Sequence, residues 1–320
     1  MIVAISTNAA AEKGLYRDAV GIKDEFEALG HTVLPFLEIP FAGDVYTPPR
    51  PISPTPRPFD LLIALEVLVP AYLDLAPKVW FLPNPEWWHP GTDALLEQVD
   101  LVLCKTRDAE ARLWDEQIDR KIRYLGFLSE DRLDLTVERE RAFLHVCGDS
   151  GLKGTVAVLD AWEQFELGPT MPLTVVGESK SCLWSPCRIP GVTYVRRYAP
   201  EAHRAAQNRH LFHLCPSEYE GFGHTLPEAL GVGALALTQD RPPADEFDGV
   251  AVRVGPPRGY RLMGRAHLAK PDPAAIADGV RRLWSMDENE VATWRMTARR
   301  AFEVEREGFR GRLKKLIGEV

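Results

Sequence analysis

Residues 211–237, LFHLCPSEYEGFGHTLPEALGVGALAL, constrain the fold more than any other stretch of this chain. An apolar run at 211–215 enters a loop broken by Gly221 and Gly223, a helix opens near Pro227, and a second apolar run follows at 234–237. Apolar segment, close-approach loop and helix is the arrangement with which proteins hold phosphorylated ligands. Glu220 and Glu228 stand eight residues apart across it.

The same alternation runs along most of the 320 residues and predicts an α/β chain. Strands are expected at 2–6, 32–37, 59–65, 78–82, 101–104 and 122–125, with helices at 18–29 and from about 107. The segment at 48–58, PPRPISPTPRP, reads as an extended surface connection. After a crossing segment at 126–134 the pattern restarts, with strands at 143–147, 173–176, 192–195, 211–215, 234–237 and 250–254. Helices are expected at 154–165 and from Pro227, and a long helical pattern covers 291–317. The length suits two domains, each with its own core.

Composition narrows the class. Hydrophobic residues make up 45% and charged residues 26%, a globular balance. A net charge of -8 disfavours non-specific binding to nucleic acid or anionic membrane. The opening MIVAISTNAA carries no basic leader, and no apolar run reaches the length of a membrane span. Five cysteines, mostly inside apolar segments, fit reduced thiols in a cytoplasmic protein. Cys182 and Cys187 enclose LWSP without a second pair or a nearby histidine, so a zinc site is not expected.

In the loop, Gly223 can adopt backbone angles closed to other residues and admit a ligand to the main chain. The amides of His224 and Thr225 would then face a diphosphate at the helix start. A blander reading is open at this point: Thr225 and Glu228 have capping-box spacing, and Pro227 suits a first helical turn.

PSEYEGFGHTLPEALGVGALAL resembles the E-x7-E region of GT-B glycosyltransferases, in particular the retaining family 4, with Pro216, Ser217, Glu220, Gly221, Phe222, Gly223, Glu228, Ala229 and Gly233 at matching positions and Ala234 in place of a common proline. ALGHTVLPF (28–36), HVCGDSGLKGTVAVLDAW (145–162) and TVVGES (174–179) resemble further segments of that family. The resemblance covers most of the carboxyl half and, more loosely, the amino half. It implies two Rossmann-like domains facing a central cleft. Residues 1–138 would form the acceptor-side domain, 139–298 the nucleotide-sugar domain, and a terminal helix at about 299–320 would cross back to the first.

The resemblance also assigns roles. Glu228 would bind the donor ribose, Glu220 would lie near the transferred sugar, and the amides at Gly223, His224 and Thr225 would hold phosphate. Lys153 matches the lysine that neutralises the departing diphosphate, a charge that develops as the glycosidic bond breaks. Without the family, Lys153 reads as a solvated charge at a helix start. Family members carry an arginine after the glycine of that loop, where this chain has Asp149. Ser150, Gly151 and Arg196 are the candidate substitutes, together with Arg197.

In the amino half, FLPNPEWWHPGTD (81–93) follows an expected strand and gathers Asn84, Glu86, Trp87, Trp88 and His89. Adjacent tryptophans suit stacking on sugars or bases, or plugging a core. His89 is the candidate for the family's sugar-contacting histidine, and Arg107 follows the strand at 101–104 as another acceptor-side candidate.

The reading is a nucleotide-sugar-dependent glycosyltransferase, retaining and independent of metal, with no cofactor beyond its donor substrate. Its acceptor is open, and a modified nucleic-acid base is one class. Phosphorylase and epimerase readings lack the lysine and the carboxylate–histidine sets those reactions need. The competing class is a GT-B homologue that has lost catalysis and binds nucleotide sugar or nucleic acid. Nucleobase, sugar and oligomeric state are not legible.

Overall fold

The computed structural model describes residues 1–7, 14–34, 36–39, 41–42, 45–46, 57–114, 119–178 and 189–319. The expected connection at 48–58 falls largely outside them, as do Cys182 and Cys187. The chain forms two compact units. The first comprises Met1–Leu128, Met263–Ala266 and Glu307–Val320, and the second Ser129–Leu262 and His267–Arg306.

In the first unit, β1 (Ile2–Thr7), β2 (Thr32–Val33), β3 (Leu37–Glu38), β6 (Leu61–Leu65), β7 (Lys78–Leu82), β8 (Leu101–Cys104) and β9 (Ile122–Tyr124) build one sheet. Its order is β2-β1-β6-β7-β8-β9 with β3 also beside β1, and every pairing is parallel. A short antiparallel pair, β4 (Phe41–Ala42) and β5 (Val45–Tyr46), stands apart. Strands such as β6, LLIAL, are buried at every position, as parallel strands covered on both faces must be. Helix α1 (Gly14–Ala28) packs Ala19, Ile22 and Phe26 inward, and Phe26 meets Trp80 at a centroid distance of 6.2 Å. Helices α2 (Pro70–Leu73) and α3 (Arg107–Leu113) complete the unit. The single strand expected at 32–37 is instead two short ones, β2 and β3; Pro35, between them in sequence, has no N–H for a ladder.

The second unit carries β10 (Glu140–Val146), β11 (Leu173–Val176), β12 (Val192–Val195), β13 (His210–Leu214), β14 (Leu235–Gln239) and β15 (Val252–Val254). The order β12-β11-β10-β13-β14-β15 is the doubly wound arrangement, all parallel. Phe143 on β10 stacks on Phe212 of β13 at 4.8 Å and meets Trp162 edge-on at 5.4 Å. Trp162 belongs to α4 (Thr155–Gln164), which packs with α7 (Pro273–Ser285) on this sheet. A hairpin, β16 (Gly259–Met263) and β17 (Ala266–Lys270), follows β15.

Several elements lie outside the sequence expectations: the β4–β5 pair, α2, α5 (Pro200–Arg209), α7 and the β16–β17 hairpin. α5 turns Ala206, Gln207 and Asn208 inward, so it has no apolar stripe to read. α7 did carry a start signal: the Asp272 carboxylate accepts from the Ala274 N–H at 3.1 Å, with Pro273 at the first helical position. The final helix, α8 (Glu288–Ile317), is long and mostly polar, and residues 307–320 count with the first unit. No helix among the described residues is long and apolar enough to cross a membrane.

Candidate functional site

Open α/β sheets bind ligands beyond the carboxyl ends of their strands, where the strand order reverses. In the second unit that reversal lies between β10 and β13. The loops leaving those strands, at 147–154 and 215–224, are tied together by backbone: the Glu218 N–H donates to the Leu152 carbonyl at 2.7 Å. Gly154 makes the approach possible. It has φ +72°, and a Cβ there would come within 2.3 Å of the Pro216 carbonyl oxygen.

This junction positions two of the expected residues. The Lys153 ammonium donates to the Glu220 carboxylate at 2.5 Å, with both side chains partly open to solvent. Gly223, at φ +77°, lies under Glu220; a Cβ would stand 2.8 Å from the Glu220 Cβ and Cγ. Glu220, Gly223 and Thr225 help line a recess together with Tyr219, Phe222, Pro242 and Phe247.

Helix α6 (Thr225–Gly231) opens at this loop with His224 as its N-cap and no side-chain capping bond. The His224 ring instead holds Ser129 Oγ at 2.8 Å. Glu228 is only 2% exposed. Its carboxylate accepts from Gln207 Nε2 at 2.8 Å and lies 3.4 Å from Arg132 Nη1. That same Arg132 nitrogen donates to Gln207 Oε1 at 3.1 Å, closing a triangle of three side chains. The carboxylate is thus engaged by side chains of α5 and of the segment before β10. Neither Gln207 nor Arg132 was a sequence candidate; they lie 21 and 96 residues from Glu228 and carry no motif.

The other donor-side candidates are more open. Ser150 Oγ accepts from the Leu152 N–H at 3.1 Å, which shapes the loop around Gly151. Arg196 is 78% exposed and pairs with Glu178 at 3.2 Å. Cys215, at the base of the loop, has its thiol pushed up to about 12 by burial.

In the first unit, the candidates separate. Asn84 joins a polar chain at the carboxyl ends of β6, β7 and β8, donating to Glu66 at 2.7 Å and accepting from Lys105 at 3.0 Å. Glu86 is buried, and Trp87 is 50% exposed. Trp88 packs near Phe81 at 6.1 Å under the Arg265 guanidinium at 4.3 Å. His89 is exposed, with Nδ1 accepting from the Gly91 N–H at 3.2 Å. Arg107 lies over the Tyr124 ring at 3.7 Å and pairs with Glu110 at 2.7 Å. Among the described residues, no group of three or more His, Cys, Asp or Glu could hold a metal ion.

No protein-family model and no curated protein matches this sequence. Solved structures do. A glycosyltransferase from Rickettsia africae superposes with a TM-score of 0.71 at 12% identity over 98% of this chain and 97% of its own. An alpha,alpha-trehalose-phosphate synthase (UDP-forming) from Burkholderia vietnamiensis gives 0.69 at 12% identity, covering 100% of both chains. A sucrose-phosphate synthase from Thermosynechococcus elongatus gives 0.69 at 15%, over 100% of this chain and 98% of its own. Two Rossmann-like units with parallel sheets, followed by C-terminal helices, make this a GT-B fold.

Proposed function

We propose that this protein is a glycosyltransferase that moves a sugar from a nucleoside diphosphate sugar to a hydroxyl acceptor, with retention and without a metal ion. The observation that carries this reading is the Lys153–Glu220 pair beyond the reversal point of the doubly wound sheet, over Gly223. The name of the UDP-forming structural neighbour supports a uridine diphosphate leaving group here.

In this reaction the bond from the anomeric carbon to the diphosphate oxygen breaks and a bond to the acceptor oxygen forms on the same face. The acceptor proton goes to the leaving phosphate. Lys153 stabilises the charge that collects on that phosphate. In the ligand-free state its charge is matched by Glu220, so an arriving diphosphate competes for the ammonium and frees Glu220 for the sugar. The amides at Gly223, His224 and Thr225 and the loop at Ser150 and Gly151 complete the phosphate contacts. Glu228 takes the ribose hydroxyls, with Gln207 and Arg132 fixing its carboxylate. Arg196 can supply the second cation that Asp149 does not, by leaving its exposed pair with Glu178, which stabilises little. On the acceptor side, Asn84 and Glu86 are the polar candidates and Trp87 the exposed stacking surface, with His89, Trp88 and Arg107 in supporting positions.

The test is a thermal-shift panel of UDP, GDP, ADP, TDP and their sugar conjugates, with Glu228→Gln as control. One nucleotide stabilises the wild type and fails with the variant. No shift with any of them removes the reading. A second reading is a nucleotide-sugar binder without turnover, favoured by Asp149 and by a lysine already neutralised by Glu220 of the neighbouring loop. A shift without donor hydrolysis or transfer selects it.

A further inference from the structure

Among described residues other than glycine, only Glu66 and Glu166 have positive φ, at 64° and 49°. Glu166 directly follows the C-cap of α4, where a left-handed residue is an ordinary way to end a helix. Glu66 ends no helix. It directly follows β6, a strand that borders the reversal between β1 and β6 in the first unit. Left-handed backbone on a long side chain is strained, and such strain gathers at functional positions.

The side chain is held as tightly as the backbone. Asn84 Nδ2 donates to Glu66 Oε2 at 2.7 Å, and Asn84 Oδ1 takes Lys105 Nζ at 3.0 Å. Lys105 is 3% exposed and ion-paired with buried Asp18 on α1. The chain of groups therefore runs from a buried ion pair out to Asn84 and Glu66, which keep partial access to solvent. Burial, offset in part by Asn84 and Lys105, raises the Glu66 carboxyl above its ordinary range, which makes it a better hydrogen-bond acceptor.

We propose that Glu66, fixed by Asn84 and the Lys105–Asp18 pair, binds a hydroxyl of the acceptor, and that the acceptor is an uncharged polyhydroxylated compound with no phosphate at this end. This rests on the glycosyltransferase reading. The charge count decides the class: Lys105 is cancelled by Asp18, and Glu66 leaves the group neutral or negative. Among the described residues of this group no unmatched cation awaits an anionic acceptor, whereas sugar hydroxyls both donate to a carboxylate and accept from an amide.

The experiment uses the full chain, the sugar nucleotide that gives the thermal shift, and three acceptor pairs: glucose and glucose 6-phosphate, fructose and fructose 6-phosphate, glycerol and glycerol 3-phosphate. Glu66→Gly removes the carboxylate while relieving the left-handed strain, which offsets the lost Asn84 hydrogen bond, so the variant stays folded. Its nucleotide shift stays at the wild-type level, and transfer to the neutral member falls about 100-fold or more. Transfer that survives in Glu66→Gly overturns the proposal. So does a wild type that prefers the phosphorylated members, or one that binds nucleotide yet glycosylates no neutral member; in those cases the donor reading stands. A wild type with no nucleotide shift fails the donor reading first and takes this one with it.

Discussion

Lys153 and Glu220, 67 residues apart in sequence, form an ion pair of 2.5 Å at the junction of two loops. The pair is partly exposed, so its own contribution to stability is small. Its value lies in keeping an ammonium in place where leaving-group charge appears. Lys153→Ala should lower turnover by about 100- to 1000-fold, the usual loss for one oriented group stabilising transition-state charge. Affinity for uridine, which lacks the diphosphate, should change little. Equal losses in kcat and in UDP affinity would show that the lysine binds ground and transition states alike, and a loss of uridine affinity would show that the substitution disturbs the site as a whole.

Glu228 calls for a gentler change. It is buried against Gln207 and Arg132, and Glu228→Ala would leave a cavity beside the Gln207 amide, with Arg132 still paired to Glu130 at 2.9 Å. Glu228→Gln keeps the shape and removes the charge. Donor affinity should fall about tenfold or more, as expected when a charged hydrogen-bond acceptor is neutralised. The melting temperature should fall only modestly, since the amide can still accept from Gln207. A large melting loss with unchanged nucleotide affinity would make Glu228 a structural carboxylate.

How much of this was legible in the sequence follows from what each feature depends on. Buried parallel strands read directly as apolar runs, so β7, β8 and β11 fall where expected; β12 does too, although as an edge strand it is half exposed. Lys153, Glu220 and Glu228 were legible because local spacing marks them. Gln207 and Arg132 were not, since their relation to Glu228 exists only after α5 has packed beside β13. Glu66 follows an unremarkable strand, and what singles it out is a dihedral angle. Trp87 and Trp88 show the same limit: adjacent and identical, one is half exposed and the other packs against Phe81.

Gly223 offers a test of the loop itself. At φ +77°, with a Cβ that would press to 2.8 Å on Glu220, Gly223→Ala combines backbone strain with a clash. A cost of about 1–3 kcal/mol in stability is expected. Relief requires Glu220 to swing away from Lys153, so transfer should fall further than stability alone explains. A urea titration alongside kcat/KM separates the two. A variant with lowered stability and wild-type kcat/KM would show that the Glu220 position is dispensable.

The second unit should also lose stability in acid, well before its carboxylates protonate. Burial lowers His145 to about 4 and His213 to about 3, and His210 is lowered as well. His145 is held neutral between β13 and α4: Nδ1 donates to the Leu214 carbonyl at 2.9 Å, and Nε2 accepts from Thr155 Oγ1 at 2.9 Å. In the unfolded chain these rings take up protons near pH 6.5, while the folded protein excludes them until much lower pH. The unfolded state therefore binds more protons through this window, and stability falls as pH drops below 6.5. Each histidine contributes a slope of up to about 1.4 kcal/mol per pH unit, down to about pH 4 for His145. Urea midpoints at pH 7.5, 6.0 and 5.0 should decline in that order, and His145→Gln should remove one histidine's share of the slope. A pH dependence identical in wild type and variant would show that His145 is not excluding a proton.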